Sequence, residues 1–184
     1  MQAVVGELID NGYADTTVEQ VAARAGIAKT TIYRRWGGLD GLLADLMAEH
    51  AAQEIAVPDD GNLDADLRAL ARGVVTSLRD PAIKAAFASM VAAAVQNPAA
   101  QEVLSRFLAT RTAKMTVIIG RAIQRGELPP GTDAAGVIRT VTALIYYRLF
   151  IAGEQAGEDI ADSAAATAAA AAARIGVLSA PAPQ

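Results

Sequence analysis

Cysteine is absent from this 184-residue chain, and histidine occurs once, at His50. Without thiols there is no disulfide framework, no thiolate nucleophile and no Cys-bound metal, and a reducing cytoplasm suits such a chain. A Ser-His-Asp or Cys-His arrangement would have to use His50, which reads as a surface residue on a linker helix, and no serine lies in a suggestive motif. Gly37, Gly38 and Gly41 lack the Lys and Ser/Thr of a phosphate loop. No catalytic residue, metal site or cofactor is therefore expected. Aromatic residues are scarce, at 4%, and prolines few, at 7; with abundant alanine this favours helix throughout. Long uncharged apolar runs are missing too. The most apolar window, residues 137–152, is interrupted by Arg139 and Arg148, and the alanine run from Ala164 is short. Neither a signal peptide nor a membrane span is expected.

An excess of positive charge is also lacking, since the formal net charge is -4. Resolved along the chain, however, Arg24, Lys29, Arg34 and Arg35 form one run, and no acid falls between Val21 and Gly38. A local basic face on an acidic protein is enough to neutralise a few phosphates, and the acidic remainder limits non-specific binding.

That run lies in residues 17–36. Thr17 followed by Gln20 is a capping-box pattern, so a helix should begin near Val18. Val18, Val21, Ala22 and Ala25 then share one stripe at i, i+3, i+4 and i+7, with Glu19, Gln20 and Arg24 outward. Gly26 can take the left-handed conformation that ends the helix. In a second helix, Ala28, Ile32 and Trp36 repeat every four residues and pack down. This leaves Lys29, Thr30, Tyr33 and Arg34 on the opposite face. There a cation and a hydroxyl near the helix start, a phenol and a guanidinium form a face able to read a major groove. Small residues at 22, 23 and 25 let the two helices cross closely.

This stretch resembles the TetR-type (TetR/AcrR-like) transcriptional regulators. The residues that carry the resemblance are Gly12-Tyr13, Thr16-Thr17-Val18, residues 21–27, residues 31–36, Asp40 and Leu42-Leu43. The resemblance implies that Thr17, Lys29, Thr30, Thr31 and Tyr33 contact an operator, Thr17 and Tyr33 mostly on phosphates, with Arg34 as an additional contact. Two positions depart from the family pattern. Ala28 stands where the family has Ser or Thr, which removes a side-chain cap worth roughly 1 kcal/mol. Leu39 stands where it has Lys, so one phosphate contact is not expected. Helix 1 begins abruptly at Met1 without a cap; the family usually places a basic arm before it, so the chain is expected to be trimmed or to begin late.

The expected architecture is all-α, with about nine helices. Residues 1–45 would form the helix-turn-helix DNA-binding domain and residues 46–184 a ligand-binding and dimerisation domain. Helix 1 would run to Asn11 with Val5, Leu8 and Ile9 inward and Gly12 closing it. Helix 4, Leu39 to about Ile55, would carry Leu42, Leu43, Leu46 and Met47; in the family this helix transmits the signal. Residues 58–62 read as a linker. Helix 6 should present Phe87, Met90, Val91 and Val95 to the core, and a long helix 7 spans about Ala99 to Arg125. Helix 8, about 132–153, is apolar on more than one face and must be buried on two sides. Helix 9, about 159–177, is mostly alanine. These two helices are the expected homodimer interface, and residues 180–184 a disordered tail.

By the same resemblance a small-molecule effector binds among helices 5 to 8. The inward bulky or polar candidates are Phe87, Met90, Phe107, Arg111, Met115, Tyr146 and Tyr147. Arg111 needs a partner, which can be a ligand anion, an internal carboxylate or solvent. The partners expected are thus a double-stranded operator, a second copy of the chain and a largely apolar effector, with no membrane. Repression is the family's commoner role. The other reading of the same residues is a helical small-molecule-binding protein or enzyme whose helix-turn-helix docks onto protein.

Overall fold

The computed structural model describes residues 1–52 and 56–175. Among these residues are nine α-helices and no strand: α1 (Gln2–Asp15), α2 (Val18–Ala25), α3 (Lys29–Trp36), α4 (Leu39–Ala52), α5 (Leu63–Ser77), α6 (Pro81–Gln96), α7 (Pro98–Gln124), α8 (Ala134–Tyr146) and α9 (Glu158–Ile175). A π-helical turn, Tyr147–Ile151, continues α8. The all-α expectation holds. The side chains of Met47 and His50, and everything beyond Ile175, including Val177 and the expected tail, lie outside the described residues.

The chain packs as two compact units, Met1–Glu54 with Arg79–Thr110, and Ile55–Leu78 with Arg111–Gln184. In the first unit, α1 packs on α2 and α6, α3 on α2 and α4, and α4 on α6. Val4, Leu8, Val18, Val21, Ala22, Ile32, Leu42, Leu43, Ala86, Phe87, Met90, Ala93, Ala100 and Phe107 are its buried apolar residues. α1 does not stop at Gly12 as expected. It kinks there, at φ 71° and ψ 177°, and continues to Asp15. The Thr16 hydroxyl donates to the Gly12 carbonyl at 2.6 Å across the kink, supplying a partner for a carbonyl the bend would strand.

Four expected inward positions of the first unit are outward. Ile9 is exposed while Val4 is buried. Val95 is 82% exposed, and Ala86 and Ala93 lie buried on the face of α6 that carries Phe87 and Met90. Ala25 and Ala28 are exposed as well. In α6 the small residues mark the line along which the helix approaches its neighbours most closely, and Val95 falls off that line.

In the second unit α9 packs on α5 and α8. Its alanines are what allow this: Ala161, Ala164, Ala165 and Ala168 are fully buried. The segment before α5 is held by polar contacts. The fully buried Asp66 carboxylate accepts from the Asp60 N–H at 2.6 Å and pairs with Arg125 at 3.3 Å. Glu127 accepts from the Leu63 N–H at 2.7 Å, and Arg121 donates to the Pro58 carbonyl at 3.1 Å. Residues 134–151 are long and apolar enough to cross a bilayer by length and composition, with 33% of the stretch buried inside the structure. Arg139 within it pairs with Asp133, and Arg148 with Glu154.

Candidate nucleic-acid interface

α2 and α3 are built from local signals. At the start of α2 the Thr17 hydroxyl accepts from the Gln20 N–H at 3.2 Å, and Gln20 Oε1 accepts from the Thr17 N–H at 2.7 Å. The capping box is thus complete, satisfying two N–H groups that the first helical turn leaves open. At its end Gly26 adopts φ 66°. There the Gly26 N–H donates to the Ala23 carbonyl and the Ile27 N–H to the Ala22 carbonyl. This paired bonding is a Schellman motif, and it needs a residue free to enter the left-handed region. Ala28 precedes α3 in extended conformation and gives it no side-chain cap, as the alanine at this position implies.

Orientation of α3 comes from what it buries. Ile32 is 1% exposed and anchors the helix against α2. Trp36 Nε1 donates to Asp45 of α4 at 2.9 Å, and the Arg35 guanidinium lies over the Trp36 ring at 4.6 Å. α4 starts very near the end of α3: a Cβ at Gly41 would meet the Trp36 carbonyl oxygen at 1.8 Å. Only a residue without a side chain fits there. At the other end of the head, the Tyr13 phenol donates to Asp40 at 2.8 Å. Burial, followed by this bond to a carboxylate, pushes the phenol up to about 12.

With Ile32 inward, Lys29, Thr30, Tyr33 and Arg34 emerge together on the outer face of α3; Thr31 is half-buried, and Thr17 stands exposed at the start of α2. Tyr33 is 50% exposed. The charges of this surface are less uniform than the run of cations suggests. Arg24 is tied to Asp10 at 2.7 Å and Glu7 at 3.1 Å on α1, and the Asp10 bond chiefly holds it more firmly protonated. Lys29 pairs with Glu19 at 3.2 Å, which lowers the Glu19 carboxyl. Among the described residues no carboxylate pairs with Arg34 or Arg35. Arg24 thus braces α2 on α1, and Arg34 and Arg35 carry the unopposed charge. Neither Glu19 nor Arg24 was assigned these pairings from sequence, because the partners lie on other helices.

The sensor candidates fall in both units. In the first, Phe87, Met90 and Phe107 are buried, and the Phe87 and Phe107 rings stand 6.3 Å apart and tilted. In the second, Met115 is buried, and burial pushes the Arg111 guanidinium down and the Tyr146 phenol up, with the two side chains coupled electrostatically. Tyr146 also stands 6.3 Å from the Phe150 ring. Tyr147 points outward, 57% exposed. No group of His, Cys, Asp and Glu side chains suited to a metal ion occurs among the described residues.

A short helix held across a capped partner, with its cations, hydroxyls and phenol all outward, defines a helix-turn-helix DNA-binding protein. The chain belongs to the tetR family: residues 2–46 match the family described as bacterial regulatory proteins, tetR family, and residues 57–168 match the tetracyclin repressor-like C-terminal domain. It is similar to the HTH-type transcriptional regulator YdeS of Bacillus subtilis, at 27% identity over 86% of this chain and 80% of that protein. It is 32% identical to the HTH-type regulator Rv1556 of Mycobacterium tuberculosis, over 83% of this chain and 75% of that one. Its fold matches that of the transcriptional regulator FadR from Bacillus subtilis, with a TM-score of 0.70 at 18% identity, covering 96% of each chain. The protein is a DNA-binding transcriptional regulator of this family.

Proposed function

We propose that the protein is a homodimeric, effector-responsive repressor. In this reading residues 1–45 bind DNA through Thr17, Lys29, Thr30, Thr31, Tyr33 and Arg34, and residues 46–184 bind the effector and a second copy of the chain. Two copies of α3 would enter successive major grooves about 34–36 Å apart on a near-palindromic operator. The observation that carries the reading is the outer face of α3, four polar residues opposite one fully buried isoleucine.

Support for α8 and α9 as the dimer interface comes from their outer surfaces. Ala143, Tyr147 and Ile151 recur every four residues along α8 and its π-turn, all exposed, and Ile151 is 74% exposed. On α9, Ala166, Ala170 and Ala173 stay exposed although the opposite face is buried. Apolar stripes of this kind are what an isologous helical interface covers.

For the effector, we assign Arg111 and Tyr146 to its polar end and Met115 to its apolar part. FadR was solved in complex with stearoyl-CoA, an anionic molecule with a long apolar chain; a ligand of that general character suits a desolvated guanidinium beside buried apolar side chains. Release from DNA requires the effector to favour the non-binding state by about 1–3 kcal/mol.

The test is selection of bound duplexes from a random pool, with the mass in solution measured alongside. A palindromic site and a dimer are expected. Arg34→Ala should lower affinity for the selected duplex about tenfold or more and relax preference at one base pair, whereas Tyr33→Phe should weaken all duplexes alike. A response that stayed flat between low and moderate salt would contradict phosphate neutralisation and point to protein docking instead.

A further inference from the structure

Asp40, in the first turn of α4, accepts two hydrogen bonds from outside its own helix. One comes from the Tyr13 phenol on α1 at 2.8 Å, the other from Asn97 Nδ2 at 2.5 Å. Asn97 occupies the corner between α6 and α7. Its backbone N–H ends α6 by donating to the Ala93 carbonyl, and its Oδ1 caps α7 by accepting from the Ala99 N–H at 2.9 Å. One side chain therefore closes a helical corner and reaches the DNA-binding head at once. All of these residues belong to the first compact unit, yet Asp40 lies in the segment matched to the DNA-binding family and Asn97 in the segment matched to the C-terminal domain.

We infer that Asn97 is a positioning residue for DNA binding: through Asp40 it fixes the orientation in which α1, α4 and α3 are presented to the operator. The chain of contacts is short. α3 is fastened to α4 by Trp36 on Asp45 and by the close approach at Gly41, so the two move together. α1 is fastened to the same point of α4 by Tyr13. The Asn97 bond is charge-assisted, and a half-buried carboxylate deprived of a donor is costly. A displaced α6–α7 corner must either drag Asp40 with it or leave that carboxylate with one donor fewer. The α6 packing against both α1 and α4 points the same way. The inference rests on the DNA-binding reading, and extends it to a residue outside the helix-turn-helix.

The test uses three variants of the full chain: Asn97→Asp, Asp40→Asn, and both together. Asp caps a helix as well as Asn does, so Asn97→Asp keeps the start of α7 and replaces the donor to Asp40 with a second carboxylate. In the double variant the roles are exchanged: the amide at position 40 accepts from Tyr13 and donates to the carboxylate at position 97, which still caps α7. Affinity is measured for a duplex selected by the wild-type protein, and amide hydrogen exchange in the first turn of α4 is measured without DNA, at a temperature where circular dichroism shows all proteins folded. Asn97→Asp should bind about tenfold more weakly and exchange faster, and the double variant should return both readouts to within about twofold of wild type. A role confined to capping α7 would move neither. Wild-type affinity in Asn97→Asp, or a double variant no better than Asn97→Asp, overturns the assignment. Should Asn97→Asp not fold, Asn97→Ser makes the same comparison, since Ser still caps α7 but is too short to reach Asp40. If the wild-type protein selects no duplex, the DNA-binding reading fails on its own, and unchanged exchange in all variants would still overturn the positioning role.

Discussion

The DNA-binding head in the first unit is joined helix to helix by directional polar bonds, whereas α9 of the second packs along most of its length on alanine, with the Arg72–Asp162 and Arg148–Ser163 bonds confined to its first turns. Around the DNA-reading helix the capping box, the Trp36–Asp45 bond, the Tyr13–Asp40–Asn97 chain and the Arg24 ion pairs each join two particular atoms at one distance and angle. Along α9 four fully buried alanines present methyl groups to α5 and α8. Methyl contacts tolerate small sliding at little cost, whereas a hydrogen bond weakens steeply off its axis. A surface that must match base edges gains from the first kind of construction. A helix such as α9, which need only pack, can use the second.

The largest effects should come from breaking each construction at its tightest point. Ile32→Ala removes the anchor of α3 and should cost about 3 kcal/mol in urea unfolding, with operator binding lost in step. Gly41→Ala forces a methyl group into the Trp36 carbonyl and should destabilise the head by about 1–3 kcal/mol or more. In the second unit Ala168→Leu has no room and should cost a similar amount by overpacking. Alanine is best there, so a stabilising result would show that α9 is loosely packed and that the contrast between the units is false.

Much of the first unit was legible because its signals are local. Thr17 with Gln20 and the stop at Gly26 span a few residues, and each is satisfied within the same helix. The outward faces of α3 followed from period alone. What escaped was long-range. Asp66 reaches Arg125, Glu127 reaches Leu63, and Asn97 reaches Asp40. Nothing in the residues beside them announces a partner that distant in sequence. The inward assignments of Ile9 and Val95 failed for a different reason, since periodicity gives the pitch of a stripe and leaves its phase to the neighbouring helix. Ala86 and Ala93 set that phase in α6.

A smaller effect separates the units by pH. The Tyr13 phenol is raised to about 12 from 10.0 by burial and by Asp40. A raised group stabilises fully below its unfolded value and loses that contribution as pH climbs through the folded one, so this part of the first unit's stability should vanish between about pH 10 and 12. Tyr13→Phe should cost about 1 kcal/mol at neutral pH and remove that alkaline slope. In the second unit the Glu127 carboxyl is lowered from 4.5, first by the Leu63 N–H and then by Arg125. Its contribution is present above 4.5 and fades as pH falls towards and through the lowered value. Glu127→Gln should cost about 1 kcal/mol and flatten the acid limb. Hydrogen exchange resolved by residue checks both arms; identical pH profiles in the two units would erase the distinction.

The smallest effect sits on the DNA-facing surface itself. Glu19 and Lys29 are more than half exposed, so their pairing contributes little to folding. Its consequence lies in binding. If Lys29 contacts DNA as proposed, it must leave Glu19 to meet a phosphate, and the freed carboxylate would then stand near a polyanion. On the proposed contacts, Glu19 would subtract from affinity for every duplex equally and raise the relative weight of base contacts without touching a base. Glu19→Gln should strengthen binding about two- to fivefold at low salt for selected and random duplexes alike, and steepen the salt dependence by up to about one ion. The gain should shrink as screening grows. Two other outcomes are informative. Unchanged binding at every salt concentration would mean that Lys29 does not face the phosphates. A changed preference at one base pair would mean that Glu19 reads a base, as a carboxylate can by accepting from the cytosine amino group.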